Sequence, residues 1–335
     1  MSTYGSPLVA VTGAEGFIGS HLTEALVKSG ARVRAMVLYN SFNSWGWLEK
    51  LPAEVLENVE IVLGDVRDPV SVREFMRGAQ VVYHLAALIA IPYSYQAPHS
   101  YVQTNVIGTL NVLEAARDLG TPRVVHTSTS EVYGTARSVP IHETHPLQGQ
   151  SPYSASKIGA DKLVESYHLS FGLPVVTLRP FNTYGPRQSA RAVIPTIISQ
   201  IAARRPVVKI GSLAPTRDFN FVSDTADSFI AVGTASSDQV VGRTLNTGTG
   251  VEISVGALIE TIADIMGKHV ELEQEKQRLR PDASEVMRLV SDSSELRRLT
   301  GWHPRHDLRR GLEQTSAWFI DPGNLSHYKT GLYSV

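Results

Sequence analysis

Residues 8–19 read Leu8-Val9-Ala10-Val11-Thr12-Gly13-Ala14-Glu15-Gly16-Phe17-Ile18-Gly19. A short apolar run that ends in glycine has the pattern of a buried parallel strand. The three glycines at 13, 16 and 19 then open a helix that runs to about Ser29, with Gly30 just past its end. The first glycine permits a tight turn, the second lets backbone approach a pyrophosphate, and the third lets helix and strand pack closely. The helix N-terminus favours the phosphates. The spacing is G-x-x-G-x-x-G, and Phe17 and Ile18 begin the helix beside the same site. A dinucleotide, NAD or NADP, is the expected cofactor.

Working outward, strands are expected at Arg32–Leu38, Glu60–Leu63, Gln80–Leu85, Arg123–Ser128 and Leu173–Leu178. Helices are expected near Pro69–Arg77, His99–Leu119 and from Tyr153 to about Phe171. Val102, Val106, Leu110 and Leu113 recur at helical spacing in the second of these. Alternation of this kind predicts an α/β fold with a Rossmann-type, doubly wound parallel sheet. After Arg179, Pro180, Pro186, Pro195, Pro206 and Pro215 punctuate shorter elements, with later helices near Ser254–Met266 and Leu308–Phe319. Residues 1–178, with a returning segment near 220–248, are assigned to the dinucleotide-binding domain. Residues 179–219 and 249–335 are assigned to a smaller α/β substrate-binding domain.

Composition narrows the function. The 335 residues are 42% hydrophobic and 19% charged, with net charge −1. No basic block favours nucleic acid, and no apolar run is long enough for a membrane. Cysteine is absent, which removes disulfides and thiolate chemistry. The 11 histidines show no metal-ligand spacing, so no metal is expected, and His84 and His126 are read as structural. The absence of a signal points to a cytoplasmic enzyme.

The acid that normally holds the cofactor ribose at the end of the second strand is missing, and Tyr39 and Asn40 stand there instead. Asn40, Ser41 and Arg34 could meet a 2′-phosphate, so NAD and NADP both remain open. Asp65 and Val66 follow the third strand, where Asp65 can accept from the adenine amino group. Leu85, Ala86 and Ala87 give the small strand end a cofactor requires, and Asn105 can anchor backbone nearby.

The chemistry is concentrated between Thr127 and Lys157. Tyr153 and Lys157 are four apart on one helix, so their polar ends share a face. An ammonium beside a phenol favours phenolate, which is expected to lower the Tyr153 pKa towards a useful base. Thr129 can bind the same substrate oxygen. Glu131, after Ser130, is a carboxylate with no evident task in a purely redox site.

Together with His84-Leu85-Ala86-Ala87, Asn105, Arg179-Pro180-Phe181-Asn182, Arg217-Asp218-Phe219 and Asn246-Thr247-Gly248, these motifs resemble the extended short-chain dehydrogenase/reductase superfamily of nucleotide-sugar epimerases and dehydratases. The resemblance spans residues 8–319. It implies a tightly bound, recycled cofactor, a nucleoside-diphosphate sugar, and a homodimer formed by helices near 99–119 and 153–171. Thr129-Ser130-Glu131 is similar to the triplet of GDP-mannose 4,6-dehydratase, and glucose dehydratases have Asp where Ser130 stands. Residues 38–47, 89–95 and 188–195 resemble N-acetylglucosamine-nucleotide 4,6-dehydratases of nonulosonic acid pathways.

This resemblance implies C4 oxidation by Tyr153, loss of water across C5–C6 with Glu131 as base, and a 4-keto-6-deoxy product. Tyr93 and Asn182 are expected at the sugar, with Arg191, Arg217 and Arg280 binding the diphosphate or ribose. A UDP-glucuronate decarboxylase is the first rival, although it needs a cation that no motif places beside Glu131. A 4-epimerase, which needs no Glu131, and a non-catalytic cofactor-binding regulator are the others.

Overall fold

The computed structural model describes residues 7–205 and 207–329; the chain ends at 1–6 and 330–335, and Pro206, lie outside the described residues. Six strands of the first 180 residues are β1 (Leu8–Thr12), β2 (Arg32–Leu38), β3 (Val59–Gly64), β4 (Val81–His84), β5 (Val124–Thr127) and β6 (Val175–Pro180). Beyond them come β7 (Asn182–Tyr184), β8 (Val207–Ile210), β9 (Thr216–Phe221), β10 (Thr244–Thr247), β11 (Glu252–Ser254), β12 (Glu271–Gln274) and β13 (Arg288–Leu289). The large sheet has the order β10-β6-β5-β4-β1-β2-β3, and every pairing in it is parallel.

Period-two alternation within these strands supplies two separate cores. Val9, Val11, Val33, Ala35, Val37, Tyr83, Val125 and Val176 enter one. Ala10, Met36, Val82, Val124 and Val175 enter the other, on the opposite face. Helices Phe17–Lys28 and Val222–Thr234 supply side chains to the first core, and helices Pro69–Met76, Gly108–Leu119 and Pro152–Phe171 to the second. Burial on both faces explains why the strands read as near-continuous apolar runs. Chain order reverses between β1 and β4, and such a switch point leaves a crevice at the carboxyl ends of the strands.

A third core, built from residues such as Ile197, Ile201, Phe219, Leu258, Ile262, Leu312 and Phe319, organises the smaller C-terminal sheets. One grouping made from sequence needs correction. Helix Ser294–Thr300 and Trp302 fall in the segment assigned to the smaller domain, yet Leu296, Leu299 and Trp302 pack into the core of the large sheet. Their chemistry is apolar either way, so only the tertiary neighbour reveals the allegiance.

The expected helix over 99–119 is also interrupted. An α-turn at Pro98–Tyr101 passes into π-helical backbone at Val102–Ile107 before regular helix resumes at Gly108. A π-bulge re-aims side chains at functional sites, and this one carries Asn105. Among the described residues, no helix is long and apolar enough to cross a membrane, and no group of His, Asp or Glu side chains could hold a metal ion.

Candidate active site

A cavity of about 660 Å³ opens at the carboxyl ends of β1 to β6. Its floor is the glycine turn. Gly13 has φ +68°, and a Cβ there would lie 2.8 Å from the Ala86 nitrogen. A Cβ on Gly19 would lie 2.1 Å from the Gly13 carbonyl oxygen, so the helix could not approach β1 with any larger residue. Gly16 caps helix Phe17–Lys28, whose first turn contains no acidic residue. Gly13, Gly16, Phe17, Ile18 and Gly19 all line the cavity, as do Asp65, Val66, Leu85, Ala86 and Ala87. This cradle fits a dinucleotide: bare backbone and a helix N-terminus face the space where a pyrophosphate would lie.

Tyr39 and Asn40 do not line the cavity. Tyr39 is 71% exposed at the strand end. The Asn40 amide donates to the Leu38 and Ser44 carbonyls, and its oxygen accepts from Phe42 and Ser44 N–H, so the side chain closes its own turn. Arg34 also faces away, donating to Glu60 and to the Phe75 and Arg77 carbonyls. The carboxylate at the end of β2 comes from the glycine turn instead: Leu38 N–H donates to Glu15 Oε1 at 3.1 Å. Asp65 accepts from the Arg67 guanidinium, which holds its carboxyl below the usual range.

Asn105 is 1% exposed and lies beneath the cavity wall. Its oxygen accepts from Leu88 N–H, while its amide donates to the Leu88 carbonyl and to Ser156 Oγ, each at 2.9 Å. It therefore ties the loop after β4 to the helix that carries Tyr153. His84 is neutral and structural: burial holds its pKa well below normal, and it bridges Thr12 and Thr109.

Helix Pro152–Phe171 starts with a capping box at Ser151 and Ser154 and presents Tyr153 and Lys157 to the cavity. Lys157 Nζ donates to the Thr127 carbonyl at 2.6 Å, and burial lowers its pKa to about 8, opposed by the Asp161 charge. Asp161 is one further turn along the same helix. Burial alone would raise its pKa, but the hydrogen bond from His126 and the charges of Arg179, His126 and Lys157 bring it to about 2. It accepts from Ser128, His126 and Arg179, forming a buried network that reaches Tyr133 and Asn246. Sequence reading passed over Asp161, although its i+4 relation to Lys157 was visible.

The expectation for Tyr153 is corrected. Burial holds its phenol above the ordinary value; hydrogen bonding with Thr129 opposes this and the Glu131 charge adds to it. Tyr101 stands edge-on to the Tyr153 ring, with centroids 6.2 Å apart, and Tyr93 lies the same distance beyond Tyr101.

Thr129, Ser130, Glu131, Tyr93 and Asn182 line the cavity, and Arg191, Arg217 and Arg280 do not. Arg191 is exposed. Arg217 is buried in β9, donating to the Thr216 carbonyl and lying 3.4 Å from Glu285. Arg280 Nη1 lies 3.6 Å from Glu131 and 3.9 Å from Glu285, and it has no hydrogen-bond partner. A cation does therefore stand beside Glu131, although no motif placed one there for the rival decarboxylase reading. It was hidden because the two groups lie 149 positions apart in the chain.

Residues 10–315 match the family model described as GDP-mannose 4,6 dehydratase. A dTDP-glucose 4,6-dehydratase from Xanthomonas campestris pv. campestris is 32% identical, with 92% of each chain covered. A UDP-N-acetylglucosamine 4-epimerase from Methanobrevibacter ruminantium M1, solved with UDP-N-acetylmuramic acid, superposes with TM-score 0.84 at 30% identity. That match covers 94% of this chain and 98% of the other. A dTDP-glucose 4,6-dehydratase from Bacillus anthracis, solved with NAD, gives TM-score 0.83 at 25% identity over 96% and 98% of the two chains. With its glycine cradle, its Thr-Tyr-Lys set and its seven-stranded parallel sheet, the chain belongs to the GDP-mannose 4,6 dehydratase family of the extended short-chain dehydrogenase/reductase enzymes, the NAD(P)-dependent nucleotide-sugar epimerases and dehydratases.

Proposed function

We propose that the chain is a nucleotide-sugar 4,6-dehydratase acting on a UDP- or GDP-linked N-acetylhexosamine, with N-acetylglucosamine the leading sugar. The observation that carries this reading is Glu131, a carboxylate lining the same cavity as Thr129 and Tyr153. Oxidation of a hydroxyl needs only Tyr153, Lys157 and Thr129. A further base is useful when a second C–H bond must break. The N-acetylhexosamine class is supported by the resemblance of residues 38–47, 89–95 and 188–195.

Bound in the cavity, a nicotinamide dinucleotide supplies reversible hydride acceptance, from C4 at the start and to C6 at the end. Burial keeps the Tyr153 phenol protonated at rest, so that proton must leave before the phenolate can take the proton of the C4 hydroxyl, while Thr129 hydrogen-bonds the same oxygen. The C4 ketone acidifies C5–H. Glu131 then takes that proton while the C6 hydroxyl leaves, and the proton that completes water returns from Glu131 directly or through a water. C5 finally regains one proton, equal in number to the one Tyr153 accepted, so the net loss is one water. Ser130 is too weak an acid to protonate the leaving group.

A second reading, hexuronate decarboxylation, is favoured by Arg280 beside Glu131. Against it, Arg217 and Arg280 already balance Glu131 and Glu285, so a substrate carboxylate would enter without a spare cation. Incubation with UDP- and GDP-N-acetylglucosamine and with UDP-glucuronate, followed by product mass, separates the readings. Loss of one water is expected; loss of carbon dioxide from the glucuronate would replace dehydration, and an unchanged mass with an altered C4 would replace it with epimerisation. In Glu131→Gln, water loss should fall about 10²–10³-fold while C4 oxidation persists. Full dehydration by that variant would remove Glu131 from the mechanism.

A homodimer through the helices near 99–119 and 153–171 belongs to the same proposal. Exposed Val102, Leu169 and Phe171 on those helices support it. Light scattering at micromolar concentration tests it, and a monomer mass would reject it.

A further inference from the structure

The strand-end acid that a dinucleotide site normally uses for the ribose is absent from β2, where Tyr39 is turned to solvent. Its place is filled from another part of the chain. Glu15, between the first two glycines, lines the cavity together with Met36 and Leu38 at the end of β2. Leu38 N–H holds Oε1 at 3.1 Å, so the carboxylate is directed to that strand end. Oε2 is covered and has no hydrogen-bond partner. The backbone of Glu15 is also held, because Trp47 N–H donates to its carbonyl at 3.0 Å. A buried carboxylate oxygen left unpaired is uncommon and calls for a donor. Burial raises the Glu15 carboxyl above its usual range, consistent with such an unmet demand.

We propose that Glu15 is the ribose-binding acid of this chain, accepting from the adenosine 2′-hydroxyl and excluding a 2′-phosphate, so that the protein is selective for NAD over NADP. With the carboxylate turned so that Oε2 meets the cavity that Glu15 lines, a hydroxyl would satisfy it, whereas a phosphate there would place like charges together with no donor between them. The surroundings offer a phosphate little compensation. Arg34 is spent on Glu60 and two carbonyls, and the Asn40 side chain closes its own turn. Among the described residues, Arg67 and Lys157 are the arginine and lysine side chains that line the cavity. Arg67 is bound to Asp65, and Lys157 belongs to the catalytic wall.

The test is calorimetric binding of NAD⁺ and NADP⁺ to the cofactor-free protein with no sugar present, so the outcome does not depend on the proposed reaction. NAD⁺ is expected to bind on the order of 30-fold more tightly. Glu15→Gln, which keeps an acceptor for Leu38 N–H, should reduce the ratio to about threefold or less, mainly by strengthening NADP⁺ binding. In the unaltered protein, the adenosine 2′-deoxy analogue of NAD⁺ should bind about tenfold more weakly than NAD⁺ itself. This arm stands even where a variant fails to fold. Equal or tighter binding of NADP⁺, an unchanged ratio in Glu15→Gln, or full affinity for the deoxy analogue would each overturn the assignment. NADP⁺ binding that is tight and lost in Arg67→Ala would transfer recognition to Arg67.

Discussion

On one side of the cavity, Lys157 is held to the Thr127 carbonyl at 2.6 Å and Asp161 accepts from three separate groups. On the other side, Glu131 lines the cavity, and Arg280, outside that lining, stands 3.6 Å from it and 3.9 Å from Glu285, without a hydrogen bond on its nearest nitrogen. The first wall comes from β5, β6 and one helix that lies on the large sheet. The second is assembled from a short 3₁₀ turn after β5, from β9, and from loop residues near 280–285. A rigid wall suits chemistry that places a hydroxyl and a hydride acceptor reproducibly. Arg280 stands at ion-pair rather than hydrogen-bond distance from both glutamates, while Arg217 donates one long hydrogen bond to Glu285 at 3.4 Å, so Arg280 is the group placed to exchange partners when an anionic substrate arrives. In the proposed reaction, oxidation would fall to the first wall and selection among sugars to the second.

The sharpest break in this comparison is Tyr153→Phe. Rates of C4 oxidation should fall about 10²–10⁴-fold, read as single-turnover appearance of reduced cofactor, with an unchanged circular dichroism spectrum. Turnover near the original rate would remove the rigid wall from the chemistry.

Next is Asp161→Asn, which leaves Arg179 buried without its charge partner. Loss of about 3–5 kcal/mol in denaturant unfolding is expected. Because the folded pKa of Asp161, about 2, lies below the unfolded value, its contribution is complete above about pH 4 and disappears as pH falls through 2. The gap between the two proteins should narrow over that window. A gap constant from pH 6 to 2.5 would show that Asp161 is not held as an anion.

Lys157→Met tests the same wall from the alkaline side. The folded pKa of Lys157, about 8, is below its unfolded value near 10.4, so the unfolded chain holds the proton longer. The unaltered protein should gain up to about 3 kcal/mol relative to the variant as pH rises from 8 to about 10. A difference that is flat across this range would mean the ammonium is not desolvated.

The smallest effect is expected on the exchangeable wall. Arg280→Lys should lower kcat/KM for the nucleotide sugar about tenfold, chiefly through KM, since an ammonium cannot reproduce a planar fork. An effect as large as that of Tyr153→Phe would erase the distinction between the walls.

Much of this molecule is local and therefore legible. Residues 8–19 carry a strand, a turn with φ above zero and a helix start in twelve consecutive positions. Tyr153 and Lys157 are one helical turn apart. Asp68 caps the helix that begins at Pro69, with its side chain accepting from Val70 N–H. The π-helical segment at Val102–Ile107 was not legible, because its apolar spacing is compatible with ordinary helix; it carries Asn105, which binds Leu88 and Ser156. Nor was the raised pKa of Tyr153, since burial depends on neighbours such as Tyr101 that belong to another element.

The sequence by itself determined the parallel sheet, the glycine cradle and the Thr129–Tyr153–Lys157 set, because each depends on spacing within one or two adjacent elements. Only the tertiary structure brought Arg280 to Glu131, Asp161 to Arg179, and Glu15 to the strand end left vacant by Tyr39. Two of these are charge pairs and the third is a carboxylate held by a backbone N–H, and in each the partners come from different elements. Charges carry no periodicity that reports their partners, and their meaning appears only when folding places them within a few ångströms of one another.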